Sequence, residues 1–413
     1  MAGLVVVAPS AAWGQAVTLD EVLQQVPERH ETHQITEMQI RQSRAFQRQA
    51  LAALLPRLDA SANLTRQGVD ERQVGDDVVV RRFDWGANAS LSMRVFDGPA
   101  YFDYWEAGKL LEVTEQSAQW QRNLLMLEAE QAFYTLASAQ REVEIAEAAI
   151  EWRVESLERA EALLEVGEAI PVDVSRARAE VLEAEQALLE AEAVVGNAAD
   201  SLATLLGRAP DGELRADVEP DDVDLQVPAV AGELTEERSD LAAQRAGIEA
   251  SELGRRGVWW TLAPRVDLSL NSGWGRPSLF NPDRHTWAVV LSATWNLYDG
   301  GGRYARADAA QAEVRQQELE LERDLRDANV QLHQALRQWR TSVAAIAVAE
   351  EQVELAQETF EQTLARFEQG LVSSLEVSDA SQELLNAELR LNQVQLQARL
   401  AEVQYRYLGI DEE

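Results

Sequence analysis

An internal duplication is the feature that most limits how this chain of 413 residues can fold. The run Gly167-Glu-Ala-Ile-Pro-Val-Asp-Val174 aligns with Gly370-Leu-Val-Ser-Ser-Leu-Glu-Val377, and the two glycines are 203 positions apart. The run Val95-Phe-Asp-Gly98 aligns in the same way with Leu297-Tyr-Asp-Gly300. Several aligned segments in one register indicate a structural unit that is built twice.

The duplication divides the chain into four segments. Residues 1–16 contain an apolar run and end on Gly14-Gln15-Ala16, a small-x-small pattern typical of the remnant of a signal peptide. Residues 17–207 form the first repeat and residues 234–413 form the second. The proline- and acid-rich residues 208–233 link the repeats, and we expect them to pack around the middle of the helical body.

Each repeat is predicted to run in the order helix, β-hairpin, long helix and returning helix, because the apolar period changes from helical to two and back. The predicted ranges are 18–54, 57–96, 100–166 and 172–206 in the first repeat, and 234–262, 264–298, 302–369 and 375–408 in the second. Pro27 is expected to bend or restart the first helix. Each long helix is followed by a glycine, which predicts a sharp hairpin tip at Gly167 and at Gly370.

The four predicted strands alternate between apolar and polar residues. Trp287 and Trp295 lie on one face, eight residues apart, which is about 26 Å and close to the apolar height of a transmembrane barrel. Trp85 and Trp274 are assigned to the same aromatic girdle, facing outer-membrane lipid. A soluble sandwich is the alternative, but one hairpin per repeat supplies too few strands for it. Four strands cannot close a barrel, so we expect three chains to contribute twelve.

Composition and residue types exclude several other classes of function. The formal net charge of −34 argues against binding of nucleic acid, whose phosphates would be repelled. There is no cysteine, which excludes disulfides and thiolate metal sites. The four histidines are scattered along the chain and no catalytic constellation is recognisable. We therefore predict no enzyme activity, no metal site and no cofactor.

The duplicated pattern resembles the TolC family of outer-membrane efflux proteins over essentially the whole mature chain. The residues that carry the resemblance are the junctions Phe96-Asp97-Gly98 and Tyr298-Asp299-Gly300-Gly301, both tips of the form Gly-x5-[Asp/Glu]-Val, and the four strands between them. The resemblance implies a mainly α fold with a membrane β part. It implies a homotrimer with a 12-stranded β-barrel in the outer membrane and an α-helical barrel across the periplasm.

The resemblance also implies a function and its partners. Such channels are the passive exit ducts of tripartite drug-efflux pumps or of type I secretion systems. They work with a periplasmic adaptor protein, expected here at the tips Gly167 and Gly370, and with an inner-membrane transporter. The alternative from the residues alone is a non-channel periplasmic adaptor or a structural coiled coil, either of which would also have long apolar heptads.

The resemblance further implies an acidic gate at the tips. Glu376 and Asp379 match the residues that constrict the periplasmic entrance, and Asp173 matches the acidic position of the first tip. The alternative is that these are first-turn acids that complement the helix dipole.

The basic residue that closes the gate in some family members is replaced here by Val372. Arg176 and Arg366 are the candidate substitutes, because both lie close to a tip.

Overall fold

The computed structural model describes residues 16–68, 72–74, 77–80, 83–167, 169–210, 214–218, 227–228, 238–275 and 284–409. The fold is mainly α-helical, with a smaller β part, as predicted. The helices are α1 (Leu19–Arg29), α2 (Glu31–Ala52), α3 (Gly98–Glu165), α4 (Pro171–Leu205), α5 (Ser239–Trp260), α6 (Gly302–Glu368) and α7 (Ser374–Gly409). The strands are β1 (Ala16–Val17), β2 (Arg57–Arg66), β3 (Arg72–Val74), β4 (Asp77–Val80), β5 (Phe83–Phe96), β6 (Arg215–Ala216), β7 (Arg265–Gly275) and β8 (His285–Thr294).

The start of the chain folds as two helices rather than one. Thr18 caps α1 through a reciprocal capping box with Glu21, in which both hydrogen bonds are 3.3 Å long. Pro27 lies inside the last turn of α1, and the helix stops at His30, where the backbone is extended. The His30 N–H still donates to the Val26 carbonyl at 3.0 Å, so the helix continues past Pro27, and the chain restarts as α2 after the extended backbone of His30.

Four long strands form one antiparallel sheet in the order β2-β5-β7-β8. The two predicted hairpins are therefore joined side by side through β5 and β7, and β2 and β8 are the edges of the sheet. The last strand was predicted to continue to residue 298, but it ends at Thr294, which pairs with Arg265. Arg265 is the first residue of β7, so β8 has no partner residue in β7 beyond that point.

The register of the sheet gathers the apolar side chains on one face. Leu58 pairs with Leu91, Leu91 with Leu270, and Leu270 with Val289, so all four lie on the same side. The opposite side carries the polar series, such as Ser61 paired with Asn88, as the alternation predicted. The apolar face is exposed within a single chain, and Leu291 of β8 retains 67% of its accessible surface.

The described chain separates into two compact units that do not correspond to the two repeats. One comprises residues up to Thr36, Gln119–Arg238 and the residues from Leu325 onwards, and the other comprises Glu37–Ala118 and Ser239–Asp324. Each unit therefore combines segments from both copies of the duplication. The second unit contains the four-stranded sheet.

One hydrophobic cluster of the first unit joins α1, α3 and α4. Val22 and Val26 pack with Phe133, Leu136 and Leu202, and all five are almost completely buried. Strands β1 and β6 pair in parallel beside this core, which fixes the described part of the predicted linker against the helices. None of the helices in the described ranges carries an apolar stretch long enough to cross a membrane.

Candidate functional site

Both helical hairpins turn at a glycine in the left-handed conformation. Gly167 has a φ angle of +82° and Gly370 has one of +72°. After α6, the Gly370 N–H donates to the Phe367 carbonyl at 2.8 Å and the Leu371 N–H donates to the Arg366 carbonyl at 2.9 Å. These two bonds form the motif that most often closes a helix at glycine. Among the described residues, nothing lies within 4 Å of a Cβ built at either glycine, so the backbone conformation alone favours glycine there.

The acid nearest each tip stabilises the start of its own returning helix. Asp173 Oδ2 accepts a hydrogen bond from the Ile170 N–H at 3.2 Å. Glu376 Oε1 accepts one from the Ser373 N–H at 3.2 Å and another from the Ser373 hydroxyl at 3.1 Å. Both carboxylates thus bind amide groups that the helix leaves unpaired, and they sit where the helix dipole favours negative charge.

Asp379 differs from the two capping acids. Its side chain is exposed, while Val377 and Ala380 on the same helix are buried. No hydrogen bond or ion pair holds Asp379 within the described part of the chain. Its carboxylate is therefore available to a cation or to a neighbouring chain, and Glu376 is exposed on the same side.

The two candidate closing arginines form no pair with the tip acids in a single chain. Arg176 is half-buried and Arg366 is exposed, and neither has an ion pair among the residues that the structure describes. No group of three potential metal-ligating side chains converges in those residues either.

Sequence reasoning missed a polar cluster that forms around a buried arginine beside the second tip. Arg153 of α3 retains only 7% of its accessible surface. Its Nη1 donates to Glu180 Oε2 at 2.9 Å and to Ser378 Oγ at 3.2 Å, and its Nη2 donates to Gln382 Oε1 at 3.1 Å. The Ser378 hydroxyl donates to Glu180 Oε1 at 2.7 Å, which closes the cluster. We call Arg153, Glu180, Ser378 and Gln382 the α3–α4–α7 polar cluster.

The signal for this cluster was present in the heptads of α3. Val143, Ile150, Leu157 and Leu164 mark one apolar heptad position, and Arg153 follows Ile150 by three residues. That is the second core position of the same repeat, where a charged residue has to find partners inside the packing. The neighbouring Trp152 contacts α6 through an edge-on ring contact with Phe360, at 4.7 Å between ring centres. At this level α3 therefore contacts all three other helices of the two hairpins.

A second buried ion pair joins α3 to α7 farther from the tips. Glu130 is fully buried and accepts two hydrogen bonds from Arg406, at 3.1 and 3.3 Å. Burial raises the pKa of the Glu130 carboxyl, Arg406 lowers it, and Glu402 raises it through charge repulsion. The net shift is upward because burial is the largest contribution.

The four girdle tryptophans lie at opposite ends of the sheet. Trp85, Trp274 and Trp287 are near the end remote from the strand–helix junctions, and Trp274 stacks on His285 at 4.9 Å between ring centres. Trp295 lies just beyond β8 at the other end, where its indole N–H donates to the Leu262 carbonyl at 2.8 Å. Their predicted contact with lipid remains a prediction.

Comparison with known proteins yields one family and several structures of the same fold. A sequence model of the family described as outer membrane efflux protein matches residues 22–208 and 230–409. No individual curated protein sequence matches the chain.

Among solved structures, the outer membrane protein VceC from Vibrio cholerae superposes with a TM-score of 0.80, at 21% identity over 95% of this chain and 96% of its own. CusC superposes with a TM-score of 0.84, at 17% identity over 96% and 93% of the two chains. The MtrE outer membrane channel from Neisseria gonorrhoeae, in its open state, gives 0.76, at 20% identity over 95% and 88%.

Proposed function

Because this chain belongs to the outer membrane efflux protein family, it is an exit channel of the outer membrane and not an enzyme, and we propose that it works as a homotrimer gated at its helical tips. Its long helices form a large periplasmic portion. Family membership also removes the alternative of a periplasmic adaptor or a structural coiled coil.

The four-stranded sheet is the observation that carries the proposal of a shared barrel. One of its faces is apolar and exposed, the other is polar, and β2 and β8 are its edges. An apolar face of this kind suits lipid, and a polar face suits a water-filled lumen. An open edge is not tolerated in lipid, so the β8 edge of one chain would pair with the β2 edge of the next. Three chains would close a barrel of twelve strands.

The gate that we propose is a ring of carboxylates contributed by the second tip of each chain. Three copies of Glu376 and Asp379 would bring six acids around the channel axis, where they would attract cations and bind divalent ions. Glu376 holds the start of α7 in place, and Asp379 supplies a carboxylate with no partner among the described residues of its own chain. Asp173 stabilises the first tip in the corresponding way.

The partners follow from the same arrangement. The tips at Gly167 and Gly370 would meet a periplasmic adaptor protein, which would in turn connect the channel to an inner-membrane transporter. Contact with the adaptor would stabilise the separated hairpins. That a relative such as MtrE has been described in an open state supports a channel that changes between closed and open forms. Arg176 and Arg366 are proposed to contribute closing contacts between neighbouring chains.

The test is single-channel conductance in a planar bilayer, with Ca²⁺ added on the side of the helical tips. We expect a small, cation-selective conductance that Ca²⁺ blocks, and we expect E376A/D379A to conduct more and to lose the block. The matched control is E351A/E354A, which removes two exposed acids with the same spacing from α6, several turns before the second tip. Block that persists in E376A/D379A, or that disappears in the control as well, would remove the gate from the second tip.

A further inference from the structure

The α3–α4–α7 polar cluster is the contact between the first hairpin and the second that lies nearest to the acids of the second tip. Arg153 and Glu180 belong to the two helices of the first hairpin, and Ser378 and Gln382 belong to the returning helix of the second. The bonds from Arg153 to α7 join residues that are 225 and 229 positions apart. We propose that Arg153 is a positioning residue that fixes the rotation of α7 about its axis, and thereby the direction in which the gate acids face.

The geometry of α7 connects the cluster to the gate. At about 100° per residue, Ser378 and Gln382 lie about 40° apart on one face of the helix, and the acids Glu376 and Asp379 lie on a face centred about 110° away. The cluster holds Ser378 and Gln382 of α7 against the first hairpin, and the acids Glu376 and Asp379 are exposed.

The hydrogen bonds of the cluster hold α7 in one orientation because they are directional. The Ser378 hydroxyl accepts from Arg153 and donates to Glu180, so it bonds both helices of the first hairpin at once. The guanidinium is planar and presents its N–H groups in a fixed fork, which restricts where the acceptors on α7 can lie. Apolar packing alone would let α7 rotate to a neighbouring packing position, whereas a hydrogen bond to the buried Arg153 is lost when its partner on α7 turns away.

A small rotation of α7 would be enough to disassemble a cation site. A side chain about 5 Å from the helix axis moves by about 2.6 Å when the helix turns by about 30°. That displacement exceeds the roughly 2.4 Å between Ca²⁺ and a carboxylate oxygen, so the six acids would no longer converge on one ion. The cluster would therefore set both the width of the closed gate and its affinity for divalent cations.

This inference rests on the proposed gate, and the test separates the two. The variant is S378A/Q382A, which cuts both bonds to α7 and leaves the buried Arg153–Glu180 ion pair intact. Changing Arg153 itself would leave Glu180 without its cation and could prevent folding. The matched control is S175A/Q186A on α4, whose two side chains hydrogen-bond within that helix and, among the described residues, to nothing outside it.

Three readouts are made on the purified, detergent-solubilised trimer and on the same protein in bilayers: Ca²⁺ block, thermal stability and the distances between spin labels. We expect S378A/Q382A to weaken Ca²⁺ block at least tenfold with little change in thermal stability, and S175A/Q186A to match the wild type. Because the chain has no cysteine, the substitution E383C on α7 can carry a single spin label in each chain, and the distance between the three labels reports the rotation of α7.

The outcomes are distinguishable. Altered label distances together with weakened block support the positioning role. Label distances in S378A/Q382A that equal those of the wild type overturn the positioning role, whether or not Ca²⁺ block is weakened. If wild-type block does not depend on Glu376 and Asp379, the proposed gate fails, and the label distances then decide separately whether Arg153 fixes α7.

Discussion

Replacing Arg406 by methionine should destabilise the protein in a way that depends on pH. Arg406 of α7 is the cation that compensates Glu130, whose carboxylate is fully buried in α3. The substitution keeps an unbranched chain that can still pack against its neighbours. It removes the positive charge and both hydrogen bonds to Glu130.

The loss of folding free energy in R406M can be worked out from the burial of Glu130 and Arg406. Removing one member of a fully buried pair typically costs about 3–5 kcal/mol, because the other charge stays buried without compensation. The side chain of Arg406 retains 34% of its exposure, so solvent already screens part of the interaction. We therefore expect a loss of about 2–3 kcal/mol for R406M near neutral pH.

The sign of the pH dependence follows from the pKa of Glu130. Burial raises that pKa and Arg406 lowers it, so R406M raises the pKa further. A carboxyl whose folded pKa lies above its unfolded value stabilises the protein below the unfolded pKa, and this stability is lost as the pH rises through the folded pKa. The loss of folding stability in R406M should therefore be largest at neutral and alkaline pH. It should shrink as the pH falls and Glu130 takes up a proton.

The assay is thermal unfolding of the detergent-solubilised protein at a series of pH values between about 5 and 8, at fixed protein concentration. The double variant E130M/R406M should regain most of the stability and lose the pH dependence, since replacing a buried pair by apolar residues is often neutral. R141M is the surface control, because Arg141 is exposed and its ion pair is with Glu144 of the same helix. A loss of stability in R406M that is the same at every pH would show that the buried charge of Glu130 is not its cause.

Two further predictions concern the sheet and the glycines. L291R places a charge on the apolar face of β8 and should lower the stability by about 2–4 kcal/mol, whereas V290R on the opposite face should be tolerated. The fraction of SDS-resistant trimer after folding into vesicles measures both effects. An equal loss of trimer in the two variants would contradict the assignment of faces. G98A should lower the unfolding temperature more than G370A does. A Cβ at Gly98 would lie 2.7 Å from the Cβ of Trp260, so the neighbouring side chain would have to move. At Gly370 the left-handed backbone alone disfavours alanine, by about 1 kcal/mol. A larger loss in G370A would contradict this.

Short-range and periodic features were predictable because the information for them is local. The glycine that ends each long helix and the acid that follows six residues later are read from neighbouring residues, and Gly167 and Gly370 both adopt the left-handed conformation. The faces of the sheet were predictable because strand side chains alternate with a period of two. Once β2, β5, β7 and β8 pair, each predicted apolar face meets another.

Other features depend on which segments meet in space, and no local pattern contains that choice. Strand β8 ends at Thr294 because β7 begins at Arg265, although the alternation in the sequence continues. The compact units mix segments of both repeats, because antiparallel helices pack against partners far away in the chain.

The polar cluster at the second tip shows the division between sequence and structure most clearly. The heptads of α3 place Arg153 at a core position, which implies that it needs buried partners. The sequence does not say that they are Glu180, Ser378 and Gln382. Those partners depend on the relative rotation and height of three helices, which long-range packing determines.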